Sequence, residues 1–174
     1  MKKFIAALVL LVPFVASAQN AKVLTGSALQ KLSVFIGTWK STNTTPGGPD
    51  ISAISTITLS ANGQYIIADQ VVNNAGNKMN NLSIYSYNAP TDSYKLSLVG
   101  IPGMAPFVIP ITYSGDVLIY TGNTYIQNGK KVYGRTLNTF ISPDYYTYQV
   151  QSSADSIHWT TSMEGKSEKI KPGQ

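Results

Sequence analysis

Side chains able to do chemistry are scarce in this 174-residue chain. There is no cysteine, which excludes thiol nucleophiles, Cys-ligated zinc and iron–sulfur clusters. One histidine, His158, is too few for a His-rich metal site or a relay of imidazoles. One arginine, Arg135, offers a planar, permanently charged guanidinium that can grip a carboxylate through two parallel hydrogen bonds. Among the carboxylates, Asp69 and Glu164 fall on predicted strands and are the candidates for acid–base work. Asp92, Asp116, Asp144 and Asp155 fall in predicted turns, where aspartate caps backbone groups. No nucleophile elbow, phosphate loop, His-Glu-x-x-His or calcium loop occurs.

The distinctive resource is eleven tyrosines. Tyrosine combines apolar area with a hydrogen-bonding tip, which suits a pocket wall for something amphipathic and equally the half-buried exterior of a sheet. The candidate ligand-binding residues are therefore Arg135 with Tyr65, Tyr85, Tyr120, Tyr133 and Tyr148. Met104 and Phe107 join them from Gly100–Pro110, eleven residues with three prolines and two glycines. Proline cannot donate to a sheet ladder, so that segment reads either as a gating loop at a pocket mouth or, preferably, as a proline-guarded edge strand. No residue is assigned to catalysis or to a metal, and no cofactor is expected.

The elements that must position these groups read as short strands bounded by Gly, Asn, Asp or Pro. They run over Thr38–Asn43, Ala53–Leu59, Tyr65–Val72, Met79–Tyr87, Tyr94–Val99, Phe107–Tyr113, Val117–Tyr125, Lys131–Ile141, Tyr145–Ser152 and Ile157–Glu164. Turn signals recur about every ten residues, as in an antiparallel sandwich or barrel. A single helical segment precedes them. Ser27 is placed to cap it, Leu29, Leu32, Phe35 and Ile36 make its apolar face, and Gly37 ends it. Several strands are apolar on both faces, so alternation alone leaves sandwich against barrel open.

Met1–Ala18 read as a cleavable signal peptide: Lys2 and Lys3, an apolar run from Phe4 to Val15, then Ala16-Ser17-Ala18. The run is too short to span a bilayer core of about 30 Å. One domain is expected over Gln19–Gln174, periplasmic or secreted, with no membrane span after cleavage and of unknown oligomeric state. Losing Lys2 and Lys3 lowers the formal charge from +5, leaving eleven Lys and Arg against eight Asp and Glu. That mild excess forms no basic stripe with stacking aromatics, so no nucleic-acid partner is expected. At 43% hydrophobic and 12% charged residues the chain is too apolar for disorder.

Phe35-Ile36-Gly37-Thr38-Trp39 runs from the helix into the first strand. This resembles the opening signature of the calycin superfamily, whose lipocalins are closed antiparallel barrels. There the glycine turns the chain and the tryptophan covers the closed end, often against a basic side chain. Tyr85-Ser86-Tyr87-Asn88-Ala89-Pro90-Thr91-Asp92-Ser93-Tyr94 and Ser153-Ala154-Asp155-Ser156-Ile157-His158-Trp159 extend the likeness. They are similar to a lipocalin-like family of secreted bacterial proteins catalogued as a domain of unknown function. Asn88-Ala89-Pro90 replaces that family's Asp-Pro, and Ser156 stands where glycine is common.

The resemblance implies an all-β, closed up-and-down barrel of about 8–10 strands with a short N-terminal helix. It gives Gly37 and Trp39 structural roles at the barrel end. It also implies that Arg135 stacks on Trp39 in preference to gripping a ligand inside. Nitrobindin-like calycins hold haem through one late histidine, but His158 reads preferentially as a polar turn residue alternating against Trp159. The expected function is binding of a small apolar or amphipathic molecule in a Tyr-rich barrel. The alternatives are a hydrolase or isomerase using an interior Asp69 or Glu164, and a filled barrel that is an interaction module without ligand.

Overall fold

The computed structural model describes residues 29–101 and 103–171. The signal-peptide segment Met1–Ala18 and the capping position Ser27 lie outside the described residues. A 3-10 helix, Leu29–Phe35, leads into ten strands. They are β1 Gly37–Asn43, β2 Ile51–Leu59, β3 Ile66–Asn74, β4 Asn77–Asn88, β5 Ser93–Val99, β6 Phe107–Ser114, β7 Val117–Gln127, β8 Lys130–Ser142, β9 Tyr145–Ser153 and β10 Thr160–Ile170. Each strand pairs antiparallel with its sequence neighbours, and β1 pairs with β10, so the sheet closes on itself. The fold is a ten-stranded antiparallel up-and-down barrel.

The helix is tighter than its sequence spacing suggested. Leu29, Leu32 and Phe35 are three residues apart, and a helix of three residues per turn puts them on one face. All three are buried, whereas Ile36 falls outside the helix and is only half-buried. This helix plugs the barrel at the end where β1 begins.

Trp39 seals the same end at 1% exposure. Its indole N–H donates to the Phe35 carbonyl at 2.7 Å, and its ring meets Tyr146 at 5.1 Å. Phe35 packs against Tyr85, Phe140 and Tyr146 at 5.7, 5.0 and 5.8 Å between ring centroids. Lys169 supplies the cation that covers Trp39, 4.9 Å from the ring centre. Its ammonium also donates to the Val34 carbonyl at 3.3 Å and stands 3.6 Å from the Asp144 carboxylate. Gly37 has φ +133°, and a Cβ there would stand 3.2 Å from Lys169 Cε. The glycine thus both turns the chain and clears the path of the lysine stem.

The expected strands match these elements to within a few residues except at the end. Ile157–Glu164 was the expected last strand, yet β10 starts at Thr160 and runs to Ile170. Ile157 and His158 belong to a turn organised by Asp155, whose carboxylate accepts their backbone N–H groups at 2.9 and 2.8 Å. Ser153 Oγ accepts the Ser156 N–H at 2.9 Å, and Ser156 takes a left-handed φ of 63°. Glu164 is therefore mid-strand, and Ser167 and Lys169 carry the strand on to the closed end.

The wall is not uniformly zipped. β6 and β7 pair only between Ile111–Ser114 and Val117–Tyr120. Next to that stretch stands Pro110, which has no N–H to offer a ladder. Facing it, β7 bulges at Gly122, with φ +110°, where a Cβ would approach the Pro110 ring to 3.1 Å. Beyond Pro110, β6 pairs only with β5, and β7 beyond Gly122 only with β8. Of Gly100–Pro110, the described residues Gly103 to Pro106 form a loop, and Phe107 to Pro110 form a strand stretch with one free edge.

Candidate functional site

Strand alternation decides which side chains can face a guest. Ala53, Ser55 and Ile57 of β2 are buried with Ile66 and Ala68 of β3, so these point inward. On β8 the inward set is Thr136, Asn138 and Phe140, facing Val150, Tyr148 and Tyr146 of β9. Ser41 and Ser167 hydrogen-bond to each other across the β1–β10 closure.

Above the aromatic floor this interior becomes polar and loses its filling. Asn138 Nδ2 donates to the Tyr120 hydroxyl at 3.4 Å, and that hydroxyl lies 3.4 Å from the Tyr85 hydroxyl. Gln70 Nε2 donates to Ser55 Oγ at 2.8 Å. A hollow of about 270 Å³ lies beside these groups, bounded by Gln70, Asn138, Tyr146, Tyr148 and Val150. A larger hollow of about 600 Å³ occupies the open end. Its apolar rim is Met104, Pro106, Phe107, Val108 and Tyr125, and it shares Thr136 and Val150 with the inner hollow.

The phenols inside are held neutral. Burial pushes Tyr85 up to about 12 and Tyr120 well above its ordinary value. Desolvation likewise raises Tyr146 and Tyr148. These hydroxyls act as hydrogen-bond donors and acceptors, not as bases.

The residues singled out in the sequence separate into two groups. Met104 and Phe107 line the open hollow, Tyr148 lines the inner one, and Tyr85 and Tyr120 form the hydroxyl pair beneath. Tyr65 precedes β3 and is 41% exposed, so it lines neither hollow. Tyr133 lies under the Lys131 ammonium, 4.8 Å from its ring centre.

Arg135 borders the open hollow, but alternation against Thr136 and Asn138 places it on the outer face. Its Nε donates to Gln151 at 2.7 Å, and its guanidinium stacks 4.0 Å above Trp159. The expected Arg135–Trp39 stack is thereby corrected: Trp159 takes the arginine and Lys169 takes Trp39.

Asp69 and Glu164 are both exposed, each next to an inward residue, so neither is an interior carboxylate. An enzyme built on either of them inside the barrel is excluded. His158 is exposed in the Asp155 turn, with Nδ1 2.7 Å from the Asp155 carboxylate. It does not alternate with Trp159 on a strand. Among the described residues, no three His, Asp or Glu side chains gather into a metal-holding group. No helix among them is long and apolar enough to cross a membrane.

The sequence reading missed Asn138, Gln70 and Lys169. For Asn138 the signal was present, since it alternates with Phe140 in a long strand. For Lys169 it was hidden by a tail that reads as solvated charge.

The arrangement resembles solved structures at the level of fold. The crystal structure of Rv2717c from M. tuberculosis aligns with a TM-score of 0.52 at 15% identity, covering 84% of this chain and 99% of that one. No curated protein matches the sequence. The model of the DUF1579 family, described as proteins of unknown function, matches residues 25–169, and the chain belongs to that family.

Proposed function

We propose that the protein is an exported, lipocalin-like binder that holds a small amphipathic molecule in its barrel. The observation that carries this reading is the open hollow of about 600 Å³ with the inner hollow directly beside it. Pockets for small molecules occupy roughly 300–1,000 Å³ and combine apolar walls with a few placed polar groups. Here Met104 and Phe107 supply the apolar rim and Asn138 with Tyr148 the polar depth. The two hollows also count against a solidly filled barrel without ligand. The Gly37–Trp39 floor under a lysine supports calycin kinship, and Met1–Ala18 supports periplasmic or secreted placement.

Native mass spectrometry of the protein purified from its own host tests the reading. A retained small molecule is the expected result, and a clean apo mass under gentle conditions overturns it. Absorbance in the Soret region of the same sample checks for haem, and N-terminal sequencing of exported material should begin at Gln19.

A further inference from the structure

We infer that the barrel selects uncharged ligands and rejects anions, taking a hydroxyl or carbonyl group against Asn138 while the apolar part lies at the rim. This names the ligand class of the binding site proposed above and rests on that reading. The inner hollow is bounded by Ser, Thr, Gln, Asn, Tyr and apolar residues, and none of them is ionised. Around the open hollow the one charged residue is Arg135, and its guanidinium is committed to Gln151 and Trp159 on the outer face. Lys169 is no counter-charge either, because the buried Trp39 ring lies between it and the interior. A carboxylate brought inside would therefore lose its hydration without meeting an opposite charge.

A neutral oxygen meets better terms. Asn138 is buried and borders the inner hollow. Its Nδ2 reaches Tyr120 only at 3.4 Å, beyond the 2.7–3.2 Å of a good N–H···O bond. The amide therefore has donor capacity for a better-placed acceptor. The Tyr85–Tyr120 hydroxyl contact is equally long. The raised phenols keep this polar patch uncharged at neutral pH.

The test is displacement of the neutral dye N-phenylnaphthylamine from the full chain by decanol and by decanoate near pH 8. Decanol is expected to displace the dye at a concentration lower by about tenfold or more. Acidification that protonates decanoate should narrow the gap. Asn138→Leu should weaken decanol relative to the dye, so that the ratio of decanol to dye affinity falls, with Asn138→Ser as the variant if the leucine chain does not fold. Arg135→Gln should change neither ligand. Equal potency of decanoate, lost on Arg135→Gln, would overturn the inference while leaving a binding barrel. Failure of dye, decanol and decanoate alike would overturn the binding reading itself.

Discussion

At the closed end of the barrel, Ile57 and Ile66 are buried beside Phe35, Trp39, Phe140 and Tyr146, whose rings interlock. At the open end the same strands turn inward Ser41, Ala53, Gln70, Gly134, Thr136 and Ser152, and space remains. Strand geometry is common to both ends. The size of the inward side chain therefore decides where the barrel is solid and where it is hollow. The ladder follows the same division, since β6 and β7 are joined near the floor and separate toward the mouth. Stability and binding should accordingly be separable by mutation.

The largest expected effect is on the floor. Trp39→Ala removes a fully buried indole and should cost about 3–5 kcal/mol, read as a lower urea midpoint. The fraction that still folds should bind N-phenylnaphthylamine as the parent does, and loss of binding at equal folding would break the division. Lys169→Met should cost about 0.5–2 kcal/mol through the lost cation–π contact, whereas Arg135→Met should leave the floor undisturbed. At the rim, Met104 is 55% exposed. Met104→Ser should move stability by no more than about 0.5 kcal/mol while weakening dye binding several-fold.

The smallest effect belongs to the Asp155 turn and is a pH dependence. Hydrogen bonding to Asp155 raises His158 above its ordinary 6.5, so the stability it lends is present below 6.5 and lost as pH rises through the folded value. Asp155 is held below its ordinary 3.8 by His158 and by backbone N–H groups, so its share is present above 3.8 and lost as pH falls through its own value. Between those limits both contribute. Both groups are exposed and screened. His158→Ala should therefore abolish a slight decline in melting temperature above neutrality, and an unchanged decline would assign it to another group.

The strands were legible because β-branched residues and Gly, Asn and Pro punctuation mark them locally. Closure was not legible locally; it was implied only by the resemblance of Gly37-Thr38-Trp39 to the opening signature of a family of closed barrels. Facing was not. Strand β8 carries Tyr133, Arg135 and Leu137 on one face and Thr136, Asn138 and Phe140 on the other. Neither face is plainly the wetter, so nothing local sends Arg135 outward. The burial of β10 was equally hidden. Its inward residues include Gly165 and Ser167, too small to announce a core, and its outward Glu164 and Glu168 imitate a solvated tail.

The Pro110–Gly122 junction bears on how the barrel wall can yield. Above it, no backbone hydrogen bonds tie the sixth strand to the seventh among the described residues. Parting the two strands there would break no backbone hydrogen bond between them, as a slit in a sleeve opens without tearing cloth. The missing amide of Pro110 keeps a foreign strand from stitching that slit shut at this position.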